Sequence, residues 1–298
     1  MSIEILSFVS PNNRRLARGF TLVEIAIVLV IMALLVAIVA PIAVGQIEMA
    51  RRNTTKTRMD IIDKAIVLFV QRNQRMPCPA DGTVDNSSLT YGLENRSTTG
   101  PTAGDCIGNQ QTGIVPFRSL ALGDDDANDG GNLRFTFRIG SLLAKTGALN
   151  MTSCDPVGTA SGGASGFCKP GCSSLSPSTC TPISSFLTNY GLSVSDAASG
   201  AVITDGAATS GAAYVLISHG ANQGGAFTPA GVLTVANPAS GTNEAFNHNN
   251  QVFRAPPLFY SEGSENNSTT PAHFDDVVRR PTIQSVIDAA GLGPRISP

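Results

Sequence analysis

Hydrophobic positions are densest near the N-terminus, where residues 20–44 form one almost uninterrupted apolar run. Glu24 is the single charged residue in that run. As a helix the run would be about 37 Å long, which exceeds the bilayer hydrocarbon core of about 30 Å. The apolar region of a removable signal peptide is shorter, at about 7–15 residues. The pattern therefore predicts a membrane-spanning helix over residues 20–44 rather than a buried helix of a soluble protein.

The hydrophobic pattern changes to a helical period after the apolar run. Residues 45–74 contain no proline and interleave charged with apolar positions. Within them, apolar residues recur at the spacing of an amphipathic helix, namely Ile62, Ala65, Ile66 and Phe69. The Met76–Pro79 segment, with two prolines, ends this pattern. One long helix is predicted over residues 20–75, and its second half is expected to pack against a sheet.

Strand patterns follow the helix. Residues 133–139 alternate apolar positions with Arg and Thr, which predicts an antiparallel strand with one face in water. Residues 213–218 predict a buried strand, and two shorter candidates and a terminal helix follow at 232–235, 274–278 and 282–290. One long helix followed by strands predicts an α+β fold, in which the helix lies on an antiparallel β-sheet head.

Two segments have a composition typical of loops. Residues 152–182 and 191–212 are rich in Gly, Ser, Ala and Thr, and we predict that both lack regular structure. The composition of the whole chain is also unusual, since only 14% of its 298 residues are charged, against roughly 25% in a typical soluble domain.

The charge balance excludes several classes of protein. A hydrophobic content of 42% with a net charge of −2 excludes a wholly disordered chain, and glycine shows no collagen-like period of three. The residues from Met76 onward carry 10 Lys and Arg against 17 Asp and Glu, a net charge of −7. Such a field repels polyanions, so no nucleic-acid binding is predicted for this part as a whole.

Positive charges flank the apolar run on both sides, and charge alone therefore leaves its orientation open. The adjacent Arg14 and Arg15 also fit a twin-arginine export signal, but the run behind them is too long and apolar for one. Residues 51–58 fit either lipid headgroups or a solvated helical turn. The basic residues that flank the run are Arg14, Arg15 and Arg18 before it and Arg51, Arg52, Lys56 and Arg58 after it.

A short motif stands at the start of the apolar run. Arg18-Gly19-Phe20-Thr21-Leu22-Val23-Glu24, followed by about twenty apolar residues, resembles the type III signal of type IV pilins and type II secretion pseudopilins. The resemblance covers residues 18–44. It implies a pilin-like fold with a cytoplasmic leader at 1–19, a helix at 20–75 that spans the inner membrane at 20–44, and a periplasmic head at 76–298.

The resemblance also implies roles for four residues. Prepilin peptidase would cut after Gly19 and methylate the new N-terminal residue, Phe20. Glu24 would pair with the N-terminal amine of a neighbouring subunit during assembly, and Pro41 would kink the helix. From the residues alone, Glu24 is either a functional carboxylate or an interfacial one that is bathed by water.

All six cysteines lie in the predicted head, and their even number indicates disulfides in an oxidising periplasm. Six cysteines allow 15 pairings. We expect Cys78 to pair with Cys106 and the other four to pair among themselves. Zinc is the alternative for those four, although they lack a C-x2-C pair. They are Cys154, Cys168, Cys172 and Cys180.

An acidic run at residues 124–130 is the best metal candidate. Asp124, Asp126 and Asn128 alternate as calcium ligands do, but Gly130 comes one place late for an EF-hand, and Phe135 stands where the bidentate Glu belongs. The run is therefore either an unusual calcium site or a solvated acidic turn. No other cofactor is predicted.

Catalytic patterns are scarce. The histidines are His219, His248 and His273, and no G-x-S-x-G elbow, phosphate loop or dinucleotide fingerprint occurs. His219, with Ser218 and an Asp, could form a hydrolase triad, but sequence does not supply the geometry. We expect no enzyme activity.

The function expected from the resemblance is that of a filament subunit in a type IV pilus or a type II secretion pseudopilus. The head of 223 residues is large, which favours a minor or tip subunit. Its partners would be prepilin peptidase, other pilin or pseudopilin subunits, the inner-membrane assembly platform and the membrane itself. The alternative is a membrane-anchored periplasmic enzyme or binding protein that uses a pilin-like anchor.

Overall fold

The computed structural model describes residues 21–97, 106–107, 113–144, 151, 153–154, 166–168, 180–182, 190–205, 211–234, 246–248, 259–263 and 274–292. Side chains are not described at 38–44, 141–142, 153–154, 166–168, 180–182 and 259–261. The chain divides into two compact units, Met1–Met49 and Ala50–Pro298. The predicted leader at 1–19, which ends at Gly19, lies outside the described residues, and so does the residue that follows it, Phe20.

Helix α1 runs from Leu22 to Asn73 without a break. The helix continues through Pro41, where only the backbone is described. At its C-terminus, Gln74 adopts the left-handed conformation with φ 54°, and its N–H donates to the Val70 carbonyl at 2.7 Å. Met76 then hydrogen-bonds Leu143, and the chain leaves the helix.

The main sheet contains five strands and is antiparallel throughout. The strands are β1 (Ala80–Asp81), β2 (Gly113–Ile114), β3 (Thr136–Ile139), β9 (Tyr214–Ser218) and β11 (Val277–Arg279). Their order is β1-β2-β3-β9-β11, and at the centre Thr136 faces Ile217 and Ile139 faces Tyr214. The helix and the antiparallel sheet confirm the predicted α+β arrangement, and β9 confirms the buried strand predicted at 213–218.

Both faces of the main sheet are buried along strands β3 and β9. On one face, Phe137 of β3 and Leu216 of β9 join a core with Ile62 and Ile66 of α1. On the opposite face, Val215 and Ile217 of β9 form a second cluster with Leu192, Val194 and Ala212. Side chains alternate between the faces of a strand, so each strand of this pair contributes to both layers. The prediction that one face of residues 133–139 lies in water is therefore wrong, because a second layer of residues covers that face.

That second layer comes from a segment predicted as loop. Strands β7 (Ser193–Asp196), β8 (Val202–Thr204) and β10 (Phe259–Glu262) form a sheet in the order β10-β7-β8, in which β7 and β10 run parallel. A third small sheet contains β4 (Ser153–Cys154), β5 (Gly166–Cys168) and β6 (Cys180–Pro182), all antiparallel. Both loop predictions, for 152–182 and 191–212, are wrong over these strands.

The remaining predictions for elements have mixed outcomes. The terminal helix is confirmed as α2, Ile283–Ala289, and the Thr282 side chain caps it by accepting from the Ser285 N–H. The candidate at 274–278 overlaps β11 only at its end. The candidate at 232–235 contains one isolated bridge, between Leu233 and Phe227, and no strand over its described residues.

The helices of the described residues do not meet the requirements for a bilayer crossing. None of them combines sufficient length with sufficient hydropathy. The transmembrane character predicted for residues 20–44 is therefore not confirmed by the structure.

Candidate processing and assembly site

Thr21 and Glu24 cap the N-terminus of α1 reciprocally. Glu24 Oε2 accepts hydrogen bonds from the Thr21 backbone N–H at 2.9 Å and from Thr21 Oγ1 at 3.0 Å. Thr21 Oγ1 accepts in turn from the Glu24 backbone N–H at 3.2 Å. This capping box satisfies N–H groups that have no acceptor within the helix. Sequence reasoning missed this role of Glu24, although the T-x-x-E spacing is its usual signal.

The first turns of α1 expose large apolar side chains on every side. No narrow apolar stripe exists there, and a helix that is apolar all round is typical of a protein core or a membrane span. Exposed fractions in this segment range from 48% at Ile25 to 86% at Leu22. The exposed large apolar residues of the segment are Leu22, Val23, Ile25, Ile27, Val28, Leu29, Val30, Ile31, Met32, Leu34, Leu35 and Val36.

The second half of α1 docks on the acidic run through one close approach. Gly130 donates its N–H to Thr55 Oγ1 at 2.9 Å, and a Cβ at Gly130 would collide with the Arg51 carbonyl oxygen. Arg58 donates to the carbonyls of Asn128 and Asp129 at 3.1 and 2.9 Å. Within the predicted basic segment 51–58, Arg58 and Thr55 therefore bind the head.

Asp129 organises the turn that receives the helix. Its Oδ1 accepts from the N–H groups of Gly131 at 2.8 Å and Leu133 at 3.0 Å. Its Oδ2 accepts from Ser218 Oγ at 2.7 Å, which ties the turn to the end of β9. The residue is 2% exposed, and these bonds offset the cost of burying its carboxylate. Sequence reasoning did not single out Asp129 for this role.

The predicted calcium ligands have protein partners in the structure. Asp124 forms an ion pair with Arg134 at 2.5 Å and accepts from the Tyr91 hydroxyl at 2.9 Å. Asp126 accepts from the Gly123 N–H at 3.2 Å, and the Asn128 amide donates to Asn132 at 3.3 Å. No group of three or more His, Cys, Asp or Glu in the described ranges is arranged to hold a metal ion. The calcium prediction gains no support from these residues.

Arg134 is a buried cation that the alternating pattern placed in water. Its guanidinium lies over the rings of Tyr91 and Phe117, at 5.0 and 4.8 Å from their centroids, and its side chain is 1% exposed. Burial lowers the pKa of Arg134 to about 10, so the guanidinium remains charged at neutral pH. The two aromatic faces and Asp124 supply the compensation that a buried cation needs.

A second polar link joins α1 to the sheet. Tyr214 of β9 donates its hydroxyl to Asp63 at 2.6 Å, and Arg279 of β11 pairs with Asp63 at 3.3 Å and with Asp60 at 2.5 Å. Burial raises the pKa of Asp63, and the Tyr214 and Arg279 contacts oppose that rise. Burial, and then the neighbouring Asp63 carboxylate, raise the pKa of Tyr214 well above its usual value.

The predicted Cys78–Cys106 disulfide is present. Cys78 donates its backbone N–H to Glu94 at 2.6 Å, and Glu94 pairs with Arg75, which follows α1, at 2.7 Å. The bond therefore fastens residue 106 to the point where the chain leaves the helix. Of the other cysteines, Cys154, Cys168 and Cys180 lie on β4, β5 and β6, and Cys172 falls outside the described residues.

Two of the three histidines meet in the interior. The rings of His219 and His248 lie edge to face with centroids 5.8 Å apart. His219 Nε2 is 2.6 Å from Thr136 Oγ1, and its Nδ1 is 3.9 Å from Asp276. Ser218, the partner considered from sequence, bonds Asp129 instead. Thr136, His219 and Asp276 are each at least nine-tenths buried, and His273 lies outside the described residues.

Comparison with known proteins concerns the N-terminus. No curated protein and no solved structure matches this chain. Residues 14–40, less than a tenth of the chain, match the family model described as the prokaryotic N-terminal methylation motif. The matched range contains the motif around Gly19 and the capping pair, Thr21 and Glu24. The chain thus carries the prepilin-type cleavage and methylation signal of type IV pilins and pseudopilins.

Proposed function

We propose that the chain is a prepilin-like subunit that is cleaved after Gly19, methylated on Phe20 and assembled through α1 into a type IV pilus or a type II secretion pseudopilus. The match of residues 14–40 to the methylation motif is the observation that carries the proposal. A pilin-like prepilin subunit follows from that motif, and its processing enzyme is prepilin peptidase. The proposal also covers the type of filament that the subunit joins, its position in that filament and its interaction with the inner-membrane assembly platform.

The exposed apolar segment 22–36 supports assembly through the helix. Burying apolar surface contributes roughly 25 cal/mol per Å², so a segment that is apolar on every side gains from any apolar surroundings. We propose that residues 20–44 first anchor the subunit in the inner membrane, with the leader in the cytoplasm and the head in the periplasm. The same side chains then pack against neighbouring helices in the filament, at the bacterial surface or within the envelope.

Glu24 has a defined place in this scheme. Its carboxylate stands at the N-terminus of α1, where the helix dipole also favours negative charge. Cleavage after Gly19 leaves a new amine one residue before Thr21, and the Thr21 N–H that donates to Glu24 is retained in the mature chain. We propose that this carboxylate also accepts a hydrogen bond from the N-terminal amine of a neighbouring subunit. The hydrogen bonds from Thr21 keep the Glu24 side chain oriented for that contact.

A minor or tip position is proposed for the subunit because the predicted head is large. Subunits that repeat along a filament need compact heads, whereas the head predicted at 76–298 comprises 223 residues. The two small sheets, formed by β4 to β6 and by β7, β8 and β10, add to the main sheet within this range. Among the described residues, the histidine cluster does not favour the enzyme alternative, because His219, Thr136 and Asp276 are buried.

The direct test is the intact mass of the full chain co-expressed with a prepilin peptidase. The expected product begins at methylated Phe20, and Gly19→Val, as the matched control, should remain a full-length membrane precursor. A wild-type chain that still begins at Met1 or Ser2 in the presence of the active peptidase would overturn the proposal. A known prepilin processed in the same cells verifies the peptidase.

A further inference from the structure

The small sheet of β4, β5 and β6 places two cysteines directly opposite each other. Cys168 of β5 and Cys180 of β6 are Cα partners in an antiparallel ladder. Opposite residues in such a ladder lie about 4.5–5.5 Å apart at Cα, and disulfides need about 4.4–6.8 Å. The backbone register therefore brings these two cysteines within bonding distance.

Pro182 shows which kind of pair this is. In an antiparallel ladder, pairs that exchange two N–H···O bonds alternate with pairs that exchange none. Pro182 has no N–H and faces Gly166, so this pair is of the second kind. The pair of Phe167 and Thr181 comes between, and Cys168 with Cys180 must again be of the second kind. Such pairs have the shorter Cα separation, about 4.5 Å, and the closer side chains.

The composition of the segment adds an independent reason for a covalent link. Residues 152–182 contain only three large apolar side chains, Val157, Phe167 and Leu175. Three short strands with so little to bury gain too little from the hydrophobic effect to hold their register. Small exported modules of this kind are commonly stabilised by disulfides instead.

We propose that Cys168 and Cys180 form a disulfide that fixes the register of β5 and β6. This proposal relies on the proposed function only for the oxidising compartment. The sequence leaves three arrangements of the four cysteines open, and the register selects one of them.

The redox step balances with an exported thiol oxidoreductase as the oxidant. The thiolate of one cysteine attacks the oxidant's disulfide, and the second thiolate displaces the oxidant from the mixed disulfide. The chain loses two protons and two electrons for each bond formed. The oxidant is reduced to its dithiol.

Peptide mapping of the full chain tests the pairing. The protein is purified from membranes with free thiols alkylated and no reductant, then cleaved before Asp155, before Lys169 and after Leu175, which places Cys154, Cys168, Cys172 and Cys180 on four separate peptides. The expected spectrum contains a linked peptide pair that joins Cys168 to Cys180 and that disappears on reduction. The Cys78–Cys106 link is the internal control for oxidation, and the N-terminal peptide reports cleavage after Gly19 separately.

Three results would overturn the proposal. Cys168 linked to Cys154 or to Cys172 contradicts the register argument directly. Alkylated Cys168 and Cys180 in a chain whose Cys78–Cys106 bond has formed show that the opposite pair stays reduced. One bound zinc ion per chain, with four alkylated cysteines after its removal, would favour the metal alternative. In each case the N-terminal peptide still decides the proposed function independently.

Discussion

At the scale of single residues, the structure assigns local roles that a sequence pattern shows only in outline. Glu24 can be recognised from its isolated charge, and Thr21 adds the reason that its carboxylate is held in place. The sequence presents Gly130 only as part of the spacing of a calcium loop, yet the helix backbone lies where its side chain would be. A contact between residues 51 and 130 depends on tertiary packing, and no local pattern encodes it.

Substitution of Glu24 separates capping from charge pairing. Glu24→Gln keeps an acceptor for Thr21 but removes the negative charge, whereas Glu24→Ala removes both. If the carboxylate pairs with an amine, both variants should be processed normally, and both should lose most filament incorporation, measured in sheared surface or membrane fractions. Thr21→Ala is the matched control for the cap alone. Normal incorporation of Glu24→Gln would show that the charge is not used.

Gly130→Ala tests the docking of α1 on the turn. The added methyl meets the Arg51 carbonyl, so the helix or the turn must move, and such overpacking costs about 1–3 kcal/mol of unfolding free energy. Urea unfolding of the detergent-solubilised full chain, followed by circular dichroism, measures it. Gly45→Ala, with nothing within 4 Å of its Cβ, should leave the unfolding of the head unchanged. Equal midpoints for the two variants would contradict the close approach.

At the scale of elements, the helix, whose sequence period is local, was predicted accurately, whereas strands that pair over long sequence separations were not. The period of α1 and the turn after it predict a helix within two residues of the observed Leu22–Asn73. Strand β3 was predicted, but its burial was not, because the residues that pack on the second face of the sheet, Leu192 and Val194, lie in a segment whose composition predicts a loop. The strands of that second layer are short and rich in Ser, and β7 pairs in parallel with a strand more than sixty residues later. Such pairing leaves no local pattern.

The link between α1 and β9 predicts a loss of stability at alkaline pH. The folded state raises the pKa of Tyr214, so it retains the phenol proton where the unfolded chain, with a pKa near 10, releases it. This contribution is complete below about pH 10 and declines as the pH rises above it. Tyr214→Phe should reduce that decline, although loss of the bond to Asp63 costs about 1.5–3 kcal/mol at pH 7.

Urea unfolding at several pH values between 7 and 11 measures this difference. Asp63→Asn keeps a hydrogen-bond acceptor and removes the charge that adds to the shift, so its decline should fall between those of the wild type and Tyr214→Phe. Identical slopes of unfolding free energy against pH for the wild type and Tyr214→Phe would contradict the assignment to Tyr214.

At the scale of the whole molecule, the N-terminal processing signal was more predictable than the fold of the head. The N-terminal signal is local, so residues 18–44 identified it without any tertiary information, and the family comparison agrees. The head is assembled from contacts distant in sequence, as Asp63 with Arg279 shows. Within the head, the expected Cys78–Cys106 bond is present, as are the predicted strand β9 and the terminal helix.

Removal of the Cys78–Cys106 disulfide should destabilise the head measurably. The bond closes a sequence separation of 28 residues, for which loop entropy predicts about 3–4 kcal/mol. The Cys78→Ala/Cys106→Ala double variant should lower the unfolding free energy by that amount in denaturant titrations without reductant. Processing after Gly19 should be unaffected, which serves as the control. A change below about 1 kcal/mol would mean that the bond does not constrain the unfolded chain.

The continuity of α1 has a consequence for how its sequence can vary. Residues 22–36 are exposed on all sides, whereas Met59, Ile62 and Ile66 are fully buried against the sheet. Saturation mutagenesis should therefore reveal two regimes along one helix. In the first, any apolar residue should be accepted at most positions, and in the second, tolerance should rise and fall every three to four residues with side-chain volume. Amino-acid substitutions among relatives should show the same difference between the exposed apolar segment and the buried part of the helix.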